Sequence, residues 1–244
     1  MESAQAGSPV RIGTAGWALP KAMRVRESAD QPVLEQYAQL FDVVEINSSF
    51  YRPHRRATYE RWRAGVPESF RFSVKVPRAM THELGLSQCQ SEIVAFMDGV
   101  RGLEQKLAVL LVQLPPSRTF EASVAGAFFA ALRHETDAHI ACEARNPSWF
   151  DGDATAVLQE HRITRVVADP VPSGCEFAAP ADSSFAYFRL HGSPRMYYSP
   201  YPTGYLQNVA AAARAAAQSW CIFDNTAAGA AWPDAATLRS FIAG

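Results

Sequence analysis

Eight residues, Glu45, Lys75, Gln113, Glu143, Asp169, Arg189, His191 and Asn225, stand at or near the ends of short apolar runs, where a strand buried for packing alone has no need of them. Two carboxylates, an amine and an imidazole brought together are the parts of general acid–base catalysis. Glu45 and Glu143 are the expected acid–base pair, facing each other across the ~6.5 to 9.5 Å that admits a water. Lys75 and His191 are expected to assist. A lysine held among apolar neighbours has its pKa lowered by desolvation and can serve as base or Schiff-base amine, while Glu45 opposes that shift. Arg189, Arg145 and Arg78 offer forked donors for a carboxylate or phosphate. Asn47, Gln113 and Asn225 are expected to orient the ligand, Asp169 to fix a cation, and His82 to join as a further acid or base. Tyr51, Trp149 and Tyr198 supply rings that stack on the ligand or cover it. The substrate this set fits is a small polar or anionic molecule, hydrolysed or isomerised.

Other readings share these residues. No metal is assigned, but Glu143, Asp169 and His191 are of the type that would hold a divalent ion for phosphoester or nucleic-acid chemistry. The same mouth would also serve a protein that binds without turnover. Without any function, the charges form a salt-bridge network, though apolar packing would close the same space more cheaply. No nucleotide cofactor is expected, because the GTAG of Gly13 to Gly16 is too short for either glycine-rich fingerprint.

The elements that must carry these residues are eight runs: IGTAGW (12–17), VVEINSSFY (43–51), FRFSVKVPR (70–78), LAVLLVQLPP (107–116), IACEARNPSW (140–149), RVVADP (165–170), FAYFRLHG (185–192) and WCIFDNT (220–226). Eight strands whose carboxyl ends all present reactive groups describe the active face of an α/β (β/α)8 TIM-type barrel. Successive strand side chains alternate between faces. That rule groups Val43, Glu45 and Asn47 toward the axis, with Ser73 and Lys75, Leu111 and Gln113, and Ala141, Glu143 and Arg145. It also groups Val167 with Asp169, Tyr187 with Arg189 and His191, and Cys221 with Phe223 and Asn225. Helical periods fall between the runs. Asp30 is the expected cap of a helix with Val33, Leu34, Tyr37, Leu40 and Phe41 on one face. Further helices are expected over 58–64, 90–102, 122–134, 154–161, 206–218 and 234–243. PVPSGCEFAAPADSS, between the sixth and seventh strands, has no helical period and predicts an irregular crossover. SPRMYYSPY, after the seventh, has the length and aromatic content of a lid over the mouth.

The 244 residues suit one barrel domain over 11–244 behind a flexible 1–10 segment. A net charge of −1 gives no long-range attraction to nucleic acid or an anionic membrane, so neither is favoured as a partner. Cys89, Cys142, Cys175 and Cys221 form no CxxC pair and read as reduced thiols. No apolar stretch approaches the ~18 residues of a membrane span, which predicts a cytoplasmic protein.

EINSSFY, FRFSVKVPR with the following THE, VQLPPS, EARNPSWF, the Asp of the sixth strand, FRLHG and FDNTAAGAA together resemble the YecE-like family, domain of unknown function 72. The resemblance runs from Ile12 to about Leu238. It implies a (β/α)8-type barrel and marks Glu45, Asn47, Ser48, Phe50, Tyr51, Lys75, Pro77, Arg78, His82, Gln113, Pro115, Glu143, Arg145, Trp149, Asp169, Arg189, His191, Gly192 and Asn225 as motif positions, without assigning roles. The Asp224–Asn225 pair departs from the family pattern, so the resemblance gives Asp224 no role.

Overall fold

The computed structural model describes residues 10–20, 30–172, 175 and 184–243. Short Val-, Ile- and Phe-rich segments form nine parallel strand pieces: β1 (Val10–Ala15), β2 (Val43–Ile46), β3 (Arg71–Lys75), β4 (Leu107–Gln113), β5 (His139–Glu143), β6 (Ile163–Arg165), β7 (Val167–Asp169), β8 (Phe185–Leu190) and β9 (Gln218–Phe223). Their order around the sheet is β6-β5-β4-β3-β2-β1-β9-β8-β7. The two ends of that order, β6 and β7, are halves of one stretch of chain that parts at Val166. The first half pairs with β5 and the second with β8, so the sheet rolls into a nearly closed barrel. The eight expected strands are present, the sixth in two pieces.

Helices α1 (Val33–Ala38), α2 (Arg56–Ala64), α3 (Gln90–Val100), α4 (Ala122–Glu135), α5 (Gly152–Glu160), α6 (Thr203–Arg214) and α7 (Ala231–Ala243) alternate with the strands. Several boundaries differ from expectation, and two have a visible cause. Pro32, not Asp30, precedes α1, and its carbonyl accepts from the Glu35 and Gln36 N–H groups. The Ala-rich α6 ends at Arg214, because Gln218 already pairs with Phe185 as the start of β9. Asp151 caps α5, its Oδ1 accepting from Ala154 N at 2.8 Å. The irregular crossover and the flexible amino terminus fall largely outside the described residues. Among those described, no helix is long and apolar enough to cross a membrane.

Two apolar layers result. Inside the barrel lie Val43, Val109, Leu111, Ala141, Val166, Ala168, Phe185, Tyr187, Trp220 and Ile222. Between barrel and helices lies a larger layer that includes Phe72, Val74, Val112, Cys142, Phe188, Cys221 and Phe223. The inner list corrects two phase assignments. On the sixth strand Val166 and Ala168 face the axis, which turns Val167 and Asp169 outward. On the last strand Trp220 and Ile222 face inward, which leaves Cys221 and Phe223 against the helices. Trp220 stacks beneath Tyr187, with ring centroids 6.1 Å apart, and fixes that phase.

Tyr37 ties α1 to the barrel floor: its hydroxyl donates to Val43 O at 2.8 Å and accepts from Thr14 N at 2.9 Å. Gly13 lets β1 approach β2 at this level, since a Cβ there would stand 2.3 Å from the Val43 carbonyl oxygen. Backbone cannot yield as a flexible side chain does, so Gly13→Ala is expected to lower unfolding stability by about 3 kcal/mol. Urea denaturation checks this, and a loss below ~0.5 kcal/mol, the range of ordinary surface changes, would show that the strands have room to part.

Candidate active site at the carboxyl-terminal mouth

The ends of β2, β3, β5, β8 and β9 bring their inward polar residues together above the inner apolar layer. Arg189 occupies the centre and is 0% exposed. Its Nε donates to Glu45 Oε2 at 3.0 Å and one terminal nitrogen to Glu45 Oε1 at 2.7 Å, a forked pair. That same nitrogen donates to Asp224 Oδ2 at 3.0 Å, and the other terminal nitrogen bonds Glu143 Oε2. Glu45 is buried as completely, and the Tyr187 hydroxyl donates to its Oε2 at 2.8 Å while sharing a hydrogen bond with Ser73 Oγ at 2.9 Å. Glu143 Oε1 accepts from Arg145 Nε at 2.9 Å and meets His191 Nε2 at 3.2 Å. His191 Nδ1 lies 3.1 Å from Asp224 Oδ2.

These contacts fix the charges. Burial disfavours the Arg189 cation, but Glu143, Glu45 and Asp224 outweigh it and hold its pKa well above the usual value. Burial likewise opposes ionisation of Glu143, yet Arg189, His191 and Arg145 bring its carboxyl well below the usual range. For Asp224, burial raises the pKa, and Arg189 with His191 reverses the effect to a net lowering. Burial penalises the His191 imidazolium, but a carboxylate at each ring nitrogen leaves its pKa raised. Three carboxylates thus face Arg189, Arg145 and an imidazole, His191, biased toward its cation.

Lys75 stands apart from this balanced set. It is 8% exposed, and among the described residues its amine has neither a hydrogen-bond acceptor nor an ion pair. Its Nζ lies over the Phe50 ring, 4.3 Å from the centroid. Burial and the Arg189 charge lower its pKa to about 8, against the pull of Glu45, Glu143 and Asp224. Other groups beside it are also uncommitted. The Asn47 Oδ1 is buried without a partner, and among the described residues the Gln113 amide and Asp224 Oδ1 make no hydrogen bond. His82 bonds Thr81 through Nδ1 and packs edge-on against Phe50, with centroids 5.0 Å apart. Burial and the charges of Lys75, Arg78 and Arg145 lower its pKa, and the Phe50 ring it shares with Lys75 puts it on the same side of the mouth.

The structure therefore brings together Glu45, Lys75, Glu143, Arg145, Arg189 and His191, with Asn47, His82 and Gln113 beside them. The Arg189 guanidinium fills the space between the Glu45 and Glu143 carboxylates, where sequence reasoning expected a water. Protein acceptors close the Arg189 fork that was expected to grip a ligand. Asp169 lies out of phase with the ring: its Oδ2 accepts from the Tyr201 hydroxyl at 2.7 Å, away from Glu143 and His191, so the three residues named as able to hold a divalent ion do not converge. Asn225, also out of phase, donates to Asp234 Oδ2 at 2.7 Å and Ser199 O at 2.9 Å. Both residues thereby anchor the 193–201 loop. Trp149 is buried in the outer layer against Phe120, its indole N–H donating to Arg118 O at 2.9 Å. Tyr198 lies on the surface under Arg195, whose guanidinium carbon is 3.9 Å from the ring centroid. Tyr51, 78% exposed, touches only the outer rim through Phe50, and Arg78 pairs with Glu83 at 3.6 Å. The lid expected in SPRMYYSPY contributes Tyr197, whose ring packs edge-on against His191 at 5.7 Å. Sequence reasoning missed Asp224. Two polar residues in succession defeat alternation there, and the available signal was charge, since Arg145, Arg189 and His191 outnumber Glu45 and Glu143.

The comparisons with known proteins agree with this architecture. Residues 11–243 match the model of a family described as "Protein of unknown function DUF72". The UPF0759 protein YecE of Escherichia coli (strain K12) is 26% identical over 173 residues, 67% of this chain and 60% of that protein. The UPF0759 protein YunF of Bacillus subtilis (strain 168) is 32% identical over 149 residues, 58% of this chain and 52% of that protein. The alignments thus span little more than half the length of these relatives. Crystal structures of DUF72 family proteins from Enterococcus faecalis V583 and Thermotoga maritima MSB8 superpose with TM-scores of 0.81 and 0.79, at 21% and 23% identity. Each alignment covers 96% of this chain, with 96% and 99% of the respective crystal chains. At that identity they share the fold.

The charge network carries a pH signature. Glu143 and Asp224, with lowered pKa values, contribute stability above the ordinary carboxylate range, which is lost as pH falls through their folded values. His191, with a raised pKa, contributes stability that is full below about 6.5, its usual value, and is lost as pH rises through its folded value. Urea denaturation between pH 6 and 7, below the range where Lys75 adds an opposite trend, should show wild-type stability falling relative to His191→Gln. Parallel curves would show that the imidazolium contributes nothing. Glu143→Gln leaves Arg189, Arg145 and His191 short of an anion and is expected to cost about 3–5 kcal/mol, read in the same experiment.

Proposed function

This chain belongs to the DUF72 family, and from the geometry of its barrel mouth we propose that it is an enzyme of general acid–base chemistry, isomerising or hydrolysing a small polar anion with Lys75 as proton acceptor. The observation that carries this reading is the unpaired amine. Glu45, Glu143, Asp224, Arg145, Arg189 and His191 already balance, so Lys75 has no counter-ion of its own, and its proton is held weakly.

A neutral amine near pH 8 takes a proton from a ligand carbon or from water. The resulting ammonium sits in the field of Glu45, Glu143 and Asp224 and beside the anionic ligand. Asn47 Oδ1 and the Gln113 amide can orient that ligand, and Arg145, which also engages Glu143 and Tyr197, supplies a cation for its charge. Glu45, Glu143 and His191 act here by fixing the position and charge of Arg189 and Arg145; they do not exchange protons with the ligand. Asp169 and Asn225 hold the loop that carries Tyr197.

Proton NMR in deuterium oxide with a panel of small carboxylates and sugar phosphates tests the reading, because proton abstraction exchanges ligand hydrogens for solvent deuterium. Wild-type exchange or turnover is expected to climb with pH and level above about 8, as Lys75 loses its proton in the presence of Arg189, Glu45, Glu143, Asp224 and His82. Lys75→Met is expected to lower the rate by about 10²–10⁴-fold, with an unchanged fold by circular dichroism. Ligands that bind the wild type without exchange or turnover would make the mouth a binding site, and a full rate in Lys75→Met would remove the lysine from the chemistry.

A further inference from the structure

Lysine is scarce in this chain. Of 23 Lys and Arg residues only Lys21, Lys75 and Lys106 are lysines. Where a buried cation serves structure, it is fully engaged. Arg189 faces three carboxylates, and Lys106 donates to the carbonyls of Arg63 at 3.0 Å and Val66 at 2.8 Å. Arginine stays charged at any physiological pH, whereas only the amine of lysine can become neutral and nucleophilic. A lysine at the mouth, uncommitted and lying on the Phe50 face, is placed for covalent chemistry that arginine cannot perform.

We propose that Lys75 condenses with the carbonyl group of a small 2-oxo acid to form a Schiff base. The proposal rests on the proton-transfer reading above and names the substrate class of the same site. The amine lone pair attacks the carbonyl carbon, and a C–N bond forms as the carbonyl π pair moves to oxygen. One amine proton passes to that oxygen, and a second proton comes from solvent. The oxygen leaves as water, the C=N bond forms, and the nitrogen keeps its remaining hydrogen and the iminium charge. That charge occupies the place of the lysine ammonium, facing Glu45, Glu143 and Asp224, so the network meets the same charge before and after condensation. A carboxylate next to the carbonyl carbon must find a cation close to the amine. Arg145 is assigned this part: its side chain is 22% exposed at the mouth where that of Arg189 is 0%, and it pairs with one carboxylate, Glu143, rather than three. The Phe50 face keeps water from one side of the new double bond.

The test is reductive trapping with pyruvate and sodium cyanoborohydride near pH 7.5, followed by peptide mapping, with hydroxyacetone as a carbonyl probe lacking the carboxylate. The expected result is a saturable gain of one reduced pyruvate on Lys75, about a hundredfold faster than on a lysine of ordinary pKa near 10.4, and much slower labelling by hydroxyacetone. Lys75→Arg should lose that label, and if this variant fails to fold, the wild-type peptide map decides alone. Labelling of Lys75 no faster than of Lys21, or equal labelling by both probes, would overturn the proposal. Exchange of the pyruvate methyl protons, followed in the same samples without borohydride, separates the two readings. Exchange without trapping at Lys75 overturns the Schiff base and leaves the proton-transfer reading standing, and absence of both overturns the 2-oxo acid as substrate class.

Discussion

A guanidinium without solvent contact is the constraint on which the mouth of this barrel depends. Removing such an ion from water costs several kcal/mol even after relaxation, and one carboxylate at 4 Å returns about 4 kcal/mol at the effective dielectric of a protein. Arg189 therefore needs more than one anion, and it has three: Glu45 from β2, Glu143 from β5 and Asp224 just past β9. Each of these sits at a different angle around the axis, so satisfying one side chain fixes the relative position of four strand ends. His191 and Arg145 extend the same logic, each taking a position dictated by Glu143.

This division explains why the charged residues of the mouth are not equivalent. Those tied to Arg189 are biased toward their charged forms, with the Glu143 and Asp224 carboxyls lowered in pKa and the His191 imidazole raised. Groups so biased make a stable electrostatic frame but poor proton carriers. The freedom to change protonation falls to the group left out of the exchange, Lys75, and the frame beside it sets how tightly its proton is held.

Much of this was legible in the sequence because strand alternation is a rigid rule. Glu45, Lys75, Glu143, Arg189 and His191 fall on the inward phase from their positions alone, and the outward phase of Phe72, Val74 and Cys142 follows as well. Legibility failed where alternation has two equal solutions. Asp224 and Asn225 are adjacent and both polar, so only the packing of Trp220 under Tyr187 decides between them. Asp169 follows a stretch of small apolar residues, Val166 to Ala168, any of which fits the interior, and the parting of the strand at Val166 leaves no mark in composition. Trp149 and Tyr198 show a different failure. An aromatic in a loop near a strand end has no period to say whether it packs beneath the loop, as Trp149 does, or rides on top, as Tyr198 does.

The divided sixth strand has a mechanical consequence. Its lower half is laced to β5 and its upper half to β8, so at the height of the mouth the backbone ladder has a seam between β5 and β7. Glu143 stands on one bank of that seam and Arg189 with His191 on the other, and their side chains clasp across it. At this seam the cylinder is therefore fastened by ion pairs rather than by a peptide ladder. Its circumference there answers to charge, and a molecule that competes for Glu143 or Arg189 loosens the wall as well as the pocket.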